Sequence, residues 1–425
     1  MLTFLIDLKN RNFLRLFFAQ VIAQFGDRII QMALVGIIAE RSPGSAMDLA
    51  KLLSFTIIPV FIIGPIAGVY VDRWDRRSVL FICDFLRGLL VLTIPFIFFS
   101  KTSFVPIYII VFLTFCVSRF YVPAKMSIIP DLVDDHHLLM ANSLMSTTGM
   151  LAFVLGVAMG GFVVDKMGAG MGFVWGAATY FISGLLICSI PKAFHLNINR
   201  KKFKEFVQVI KTSLWEEIRE GIRYLINHKE IRFIINMLFI LLSAAGAVYV
   251  VIIVFIQQAF GSVTKDLAVL AICLGIGLFL GALAYGKWGT RFLWYKTIFF
   301  CLMLASLVIN AFAFVVYRHT DLLSACILAF FLGFCIGPIF IAANTVTHIV
   351  SDENMRGKVF TALEVVIHFA FLVAMFISSF LAEYIPRVWI LAGVGVILGL
   401  VSIINLLVFR SSVPMKVRQG INVKV

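Results

Sequence analysis

The sequence predicts an all-α membrane protein with twelve transmembrane helices in two six-helix halves, and three observations lead to this fold class. Of the 425 residues, 61% are hydrophobic and 14% are charged, with a mean hydropathy of +1.03, far from the composition of a soluble globular domain. Apolar runs of about 20 residues, the length that crosses a bilayer as a helix, recur along the chain. A polar interruption at 191–231 divides these runs into two sets of six.

The twelve apolar runs are the predicted membrane helices. In the first half they lie at 13–38, 49–71, 78–99, 104–127, 138–164 and 171–190. In the second half they lie at 232–257, 266–287, 293–316, 322–346, 358–382 and 388–409. We therefore expect one six-helix bundle at 1–190 and a second, followed by a tail, at 232–425. The linker at 191–231 contains a possible capping box at Ser213 and Glu216 and an apolar face typical of an amphipathic helix on the membrane surface.

Basic residues predict the orientation of these helices. The formal net charge is +14, and the Lys and Arg clusters occupy alternate loops. They are Lys9 and Arg11; Arg73, Arg76 and Arg77; Lys287, Arg291 and Lys296; Arg356 and Lys358; and Lys416, Arg418 and Lys424. The positive-inside rule then places both termini in the cytoplasm. Such charges contact anionic membrane lipids, and no nucleic-acid partner is expected.

Several kinds of site are missing from the sequence. It contains no G-x-x-x-x-G-K-[ST], H-E-x-x-H or G-x-S-x-G motif, and its seven cysteines lack Cys-x-x-Cys spacing. We therefore expect no catalytic residues, no metal site, no cofactor and no direct use of ATP.

The loop between the second and third runs carries the most specific motif. It contains Gly68, Asp72, Arg73, Arg76 and Arg77. This pattern resembles the Gly-x-x-x-Asp-Arg-x-Gly-Arg-Arg loop of the major facilitator superfamily of secondary transporters, with Asp75 at the usual glycine. The resemblance implies alternating access between two six-helix halves, and a cytoplasmic gate formed by these residues. The alternative is that the arginines only orient the helices.

The two halves also resemble one another. Gly281 to Lys287 follows the eighth run as Gly68 to Arg73 follows the second, with Tyr285 in place of the acid. A parallel repeat of this kind is expected of the superfamily fold, and it makes the N-terminal gate the better functional candidate.

Asp27 lies about halfway through the first run. A charge inside a bilayer is costly, so it must face the bundle interior or a partner. Asp27 is our first candidate for the group that exchanges protons or contacts the substrate. The alternative is a permanent ion pair with Arg28, Arg87 or Arg119 that packs helices.

Four further candidates lie in the third and fourth runs. Asp84 and Arg87 share one helix face at i, i+3 spacing, so they either take part in coupling or satisfy each other. Arg119 resembles an arginine in a family pattern that couples protonation to substrate movement, with Pro123 in place of the glycine of that pattern. Lys125 either contacts the substrate or snorkels from a helix end.

Glu364 and His368 are one turn apart in the eleventh run. They form a proton relay in one interpretation, because His titrates near neutrality. In the other, Glu364 pairs with Arg356 or Lys358 near the cytoplasmic end.

Several segments resemble the macrolide and drug efflux branch of the superfamily. They are Gly26 to Leu34, Gly64 to Leu80, Ile129 to Val133, Ala141 to Ser143 and Arg356 to Phe360. The resemblance implies export of amphiphilic molecules driven by a proton gradient. We expect a multi-pass protein of the bacterial cytoplasmic membrane, with a monomer as the default oligomeric state.

Two alternatives stay open. Phe25 to Asp27 and Pro123 to Lys125 also resemble bacterial lysophospholipid transporters, where an acid and a lysine would contact the lipid head group. A remote third hypothesis is a non-transporting receptor on a transporter scaffold, although the sequence has no appended soluble domain.

Overall fold

The computed structural model describes residues 11–64, 67, 71, 74–99, 103–191, 223, 229–289, 294–350 and 356–412. In these residues the regular structure is entirely helical, with eleven α-helices and one 3-10 helix at Asp135–His137. The first five α-helices are α1 Arg11–Arg41, α2 Ala46–Ile62, α3 Arg76–Phe99, α4 Val105–Leu132 and α5 Leu138–Cys188. The others are α6 Lys229–Phe260, α7 Lys265–Trp288, α8 Trp294–Arg318, α9 Leu322–Val350, α10 Arg356–Leu381 and α11 Arg387–Ser412. Apart from Arg223, the segment proposed as an amphipathic linker helix lies outside the described residues, as do both chain termini.

Helix α5 contains the fifth and sixth predicted runs without a loop between them. A single residue, Gly168, breaks it with φ +82° and ψ 163°, a conformation that glycine adopts without the steric cost of a Cβ. The carboxylate of Glu40 accepts a hydrogen bond of 3.2 Å from the N–H of Ala169, which satisfies one donor at the start of the second segment. The sequence therefore identified both runs, but the expected loop is a one-residue kink.

Ten helical segments in the described part of the chain are long and apolar enough to cross a membrane. The difference from the twelve predicted spans has two causes. The two segments of α5 count as one span, Ala152–Cys188, and α2 is described as a helix of only 17 residues. The protein is thus an all-α, multi-pass membrane protein.

Contacts between residues divide the chain into two compact units. The unit that we call N-terminal contains α1, α3, α4, α5 and most of α2, together with Val263–Lys265. The C-terminal unit contains α6 and α8 to α11, most of α7, and the short segment Ser42–Lys51. Each unit has its own buried apolar cluster.

Within the N-terminal unit, α1 packs tightly against α5. A Cβ at Gly160 would lie 2.8 Å from the Cα of Ile29, and one at Gly172 would lie 2.9 Å from the Cβ of Ala33. Small residues allow such close approach between membrane helices. This packing holds the middle of α1, including Asp27, at a fixed place beside both segments of α5.

Within the C-terminal unit, α7 crosses α9 with glycines on both sides. They are Gly277 and Gly281 on α7, and Gly333 and Gly337 on α9. A Cβ at Gly277 would overlap the carbonyl oxygen of Phe330, and one at Gly333 would overlap that of Leu274. At Gly64, by contrast, no described atom lies within 4 Å of a Cβ placed there.

Candidate functional site

A buried arginine, Arg87, lies at the centre of a polar cluster in the N-terminal unit. It is eleven residues from the start of α3, about 16 Å along the helix, and its side chain is 2% exposed. The guanidinium donates hydrogen bonds to Asp84, to Asp27 Oδ1 at 3.4 Å and to Ser118 Oγ at 3.5 Å. Asp84, Asp27 and Ser118 therefore supply the hydrogen-bond partners that a charge at this depth requires.

Two tyrosine rings enclose the same guanidinium. Its central carbon lies 4.3 Å from the ring centroid of Tyr180 and 4.6 Å from that of Tyr121. Both distances are within the range of cation–π attraction, which is stronger in a desolvated place. The position of Arg87 is thus fixed by side chains from α1, α3, α4 and α5.

Asp84 is the fully buried carboxylate of the cluster. Its Oδ1 accepts from Arg87, and its Oδ2 accepts a hydrogen bond of 2.6 Å from Ser183 Oγ. Both oxygens are engaged, and the side chain is 0% exposed. The contact between Asp84 and Arg87 that the i, i+3 spacing predicted is present, but it is not a closed pair because Arg87 also reaches α1.

Asp27 is placed differently from Asp84. Its Oδ1 accepts hydrogen bonds from the Tyr180 hydroxyl at 2.5 Å and from Arg87. Its Oδ2 accepts none from the residues that the structure describes, and its side chain is 34% exposed. Asp27 is therefore the carboxylate of the cluster that a proton or a ligand can reach.

Lys125 lies on α4, half-buried. The carboxylate of Asp27 interacts with it electrostatically, although no described carboxylate oxygen lies within 4.0 Å of its ammonium group. The sequence placed Lys125 at a helix end, but α4 continues to Leu132, about 10 Å further. Lys125 therefore lies about two turns inside the helix, and both its substrate contact and its snorkelling stay predictions.

Two arginines of the predicted gate make contacts at helix ends. Arg76 Nη1 lies 2.5 Å from Asp131 Oδ2 at the end of α4. Arg77 donates to the carbonyl oxygens of Ile187, at 3.2 Å, and of Cys188, where the C-terminus of α5 favours positive charge. These arginines join α3 to α4 and α5, whether or not they also act as a gate.

Asp75, which replaces the usual glycine of the motif, caps α3. Its Oδ2 accepts hydrogen bonds from the N–H of Ser78, at 3.2 Å, and from the Ser78 hydroxyl, as an N-cap residue does. The other gate candidates, Gly68, Asp72 and Arg73, lie outside the described residues.

Comparison with known proteins decides the family. The sequence model of the Major Facilitator Superfamily matches residues 16–309 and 237–423. The chain belongs to the Major Facilitator Superfamily. The protein is accordingly a transporter and not an enzyme.

Three curated relatives align with most of the chain. An uncharacterized transporter of Bacillus subtilis, YkuC, is 30% identical over 83% of this chain and 81% of its own length. The putative bacilysin exporter BacE of Bacillus subtilis is 24% identical over 71% of both chains. Macrolide efflux protein A of Streptococcus pyogenes is 24% identical over 65% of this chain and 67% of its own.

A solved structure shows the same fold at low identity. The nucleoside transporter NupG superposes with a TM-score of 0.71 at 11% identity, and the match covers 94% of this chain and 98% of its own. This similarity supports the superfamily fold alone.

The remaining candidates of the superfamily interpretation are less closely connected. Arg119 is half-buried on α4, and its charge acts on the thiol of Cys116. Glu364 is exposed on α10. His368 Nδ1 lies 2.8 Å from the backbone carbonyl oxygen of Glu364, so its hydrogen-bond partner is the backbone and not the Glu364 carboxylate. The side chains of Arg356 and Lys358 lie outside the description, so neither the relay nor its alternative is tested.

Sequence reasoning missed four uncharged members of the cluster. They are Ser118 and Tyr121 on α4, and Tyr180 and Ser183 on α5. Each pair has the i, i+3 spacing that also joins the acid and the base on α3. The sequence pattern that could have identified these residues is the presence of two polar side chains at this spacing in each of three apolar runs.

Proposed function

We propose that this protein is a proton-coupled exporter of amphiphilic small molecules in the bacterial cytoplasmic membrane. The observation that carries the proposal is the position of Asp27, a partly exposed carboxylate near the middle of a membrane helix that shares Arg87 with the buried Asp84. Intramembrane carboxylates of this kind mark proton relays and substrate pathways. Export agrees with the names of the relatives BacE and macrolide efflux protein A.

The cluster allows Asp27 to gain and lose a proton without leaving a buried charge unpaired. When Asp27 is ionised, two carboxylates share the guanidinium of Arg87. When Asp27 is protonated, Arg87 keeps Asp84, which Ser183 also holds. An uncompensated buried charge costs several kcal/mol, and this arrangement avoids that cost in both states.

Titratable groups of three neighbouring helices interact electrostatically with Asp27. They are Asp84 and Arg87 on α3, Tyr121 and Lys125 on α4, and Tyr180 on α5. Loss of the proton strengthens the attraction of Asp27 to Arg87 and to the Tyr180 hydroxyl. Because these contacts join α1 to α3 and α5, protonation changes how strongly the three helices are held together, which is the kind of difference that alternating access requires.

A lysophospholipid transporter is the second candidate. Lys125 favours it, since a base inside the membrane with no described carboxylate within 4.0 Å is a partner for a lipid phosphate. Movement of lysophospholipid without a pH gradient would distinguish this function from proton-coupled export.

The test uses purified protein in liposomes that contain a pH-sensitive dye. Amphiphilic drugs and lysophosphatidylethanolamine are added in turn under an imposed pH gradient. The proposal predicts proton movement evoked by at least one amphiphile and absent from protein-free liposomes. Gradient-independent transfer of lysophosphatidylethanolamine, with no evoked proton movement, would contradict it.

A further inference from the structure

Arg28 follows Asp27 on α1 but has a separate set of contacts. Its Nη1 donates a hydrogen bond of 2.7 Å to Gln31 Oε1. Its guanidinium carbon lies 4.3 Å from the ring centroid of Phe153 on α5, a side chain that is 41% exposed. Both partners are neutral, and the Nε of Arg28 is buried without a hydrogen bond to any described residue.

The charges of the N-terminal unit leave Arg28 without a counter-ion among the described residues. Asp27 and Asp84 both pair with Arg87. In the part of the chain that the structure describes, no carboxylate oxygen lies within 4.0 Å of Arg28 or of Lys125. With Arg87 and the half-buried Arg119, four cations therefore accompany these two carboxylates, and a charge at this depth that lacks a counter-ion is costly unless a ligand or water compensates it.

Arg28 also belongs to a polar stripe along α1. The stripe consists of Gln20, Gln24, Arg28 and Gln31, whose spacing places them on one helix face. This face meets glycines of α5, since a Cβ at Gly149 would lie 3.3 Å from Gln24 Oε1 and one at Gly156 would lie 2.9 Å from the Cβ of Arg28. The stripe extends for about 16 Å along α1 and forms a polar face that packs against α5 within a membrane-embedded unit.

We propose that Arg28 binds the anionic group of the transported molecule, so that the substrate is an amphiphile bearing a carboxylate or a phosphate. A guanidinium suits this task because its planar donors bind both oxygens of either group. Nε and Nη2 carry no hydrogen bond to a described residue and lie on one edge of the guanidinium. The ring of Phe153 supports one face of the group, and it adds apolar surface for the rest of an amphiphile. This inference rests on the proposed function because it takes the bound molecule to be the transported one. Binding of an anion at Arg28 does not itself require proton coupling.

Binding of four matched probes tests the site. Protein in nanodiscs is titrated by calorimetry with octyl phosphate, octanoate, octyltrimethylammonium and octyl glucoside, and empty nanodiscs correct for partition into lipid. The variants are Arg28→Gln, Arg28→Lys and, as a matched surface control, Lys166→Gln, whose side chain is exposed. Thermal unfolding of each variant shows whether it is folded.

The wild type is expected to bind the two anions at least tenfold more tightly than the cation or the neutral probe. Arg28→Gln removes this preference, Arg28→Lys keeps part of it, and Lys166→Gln keeps all of it. Equal affinity of the wild type for the four probes, or an unchanged preference in folded Arg28→Gln, would overturn the proposal. If Arg28→Gln does not fold, the test depends on the other two proteins. An anion preference in the wild type that is weaker in Arg28→Lys supports the proposal, and the absence of a wild-type preference overturns it.

The same titration separates two sources of the anion and two possible failures. A preference for octyl phosphate over octanoate indicates a lipid head group, and the reverse indicates a carboxylate-bearing molecule that is not a phospholipid. Because the titration uses no pH gradient, loss of proton-coupled flux with an intact anion preference would contradict only the proposed function.

Discussion

The hydroxyl of Tyr180 donates a hydrogen bond of 2.5 Å to Oδ1 of Asp27, while the ring of the same tyrosine lies 4.3 Å from the guanidinium carbon of Arg87. One side chain of α5 thus contacts both the accessible carboxylate and its counter-ion. Tyr180 is 2% exposed, so packing fixes its position. This makes Tyr180 a positioning residue for Asp27.

Tyr180→Phe keeps the ring and removes the hydrogen bond to Asp27. A hydrogen bond to a charged group contributes about 1.5–3 kcal/mol, so the variant should hold the Asp27 carboxylate less firmly between α1 and α5. We expect gradient-driven transport by Tyr180→Phe to fall several-fold while the protein stays folded. Transport is measured in proteoliposomes, with the exposed Tyr317→Phe as control, and an unchanged rate would show that the bond does not position Asp27.

Asp84→Asn should destabilise the protein more than Asp27→Asn does. Asp84 is fully buried with both oxygens bonded, whereas Asp27 is partly exposed. Loss of the Asp84 charge leaves Arg87 with only the 3.4 Å ion pair to Asp27 among the described residues, and breaking a buried ion pair costs up to about 3–5 kcal/mol when one charge is left unpaired. Thermal unfolding in detergent should give the order wild type, Asp27→Asn, Asp84→Asn from most to least stable, with the half-buried Asp165→Asn close to wild type. The reverse order of the two variants would contradict the assignment of Asp84 as the structural carboxylate.

The sequence identified the charged centre of this cluster but not its uncharged shell. Asp27, Asp84 and Arg87 were visible because a charge inside an apolar run has few explanations. Tyr180 and Ser183 were not, because one tyrosine or serine in a helix of this composition is ordinary by itself. Their contacts join positions 153 and 99 residues apart in the chain, which periodicity within a run does not reveal.

The helices were predicted with similar limits. The apolar runs correspond to the observed helices, but their ends depend on local geometry. Gly168 joins two predicted helices through a positive φ, and α4 continues past Pro130, where the apolar pattern had already ended. Arg28 was assigned only as a possible partner of Asp27, because sequence order does not show that its side chain turns toward Phe153.

Gly277→Val should prevent close packing of α7 against α9. The new side chain would overlap the backbone of Phe330, and overpacking costs about 1–3 kcal/mol or more when a backbone must move. Gly286→Val on the same helix is the matched control, since no described atom lies within 4 Å of its Cβ position. The yield of folded, monodisperse protein should fall only for Gly277→Val, and equal yields would contradict the crossing.

The same crossing brings two thiols together. Cys273 on α7 and Cys326 on α9 are free cysteines whose side chains interact with each other. Oxidation by copper phenanthroline should therefore cross-link them, and labelling of the denatured protein with a maleimide polymer should then count two fewer thiols. Cys273→Ser should abolish this loss, and full labelling of the oxidised wild type would show that the two helices are in another register.

The most direct test of proton coupling compares substrate uptake into proteoliposomes with and without an imposed pH gradient. Wild type, Asp27→Asn, Asp27→Glu and the control Asp165→Asn are measured with the amphiphile that evokes proton movement. If Asp27 carries the coupled proton, the gradient stimulates uptake by wild type, Asp27→Glu and Asp165→Asn, while Asp27→Asn transports at a rate that the gradient does not change. If the gradient stimulates uptake by Asp27→Asn as strongly as uptake by the wild type, Asp27 does not carry the coupled proton and the coupling group lies elsewhere.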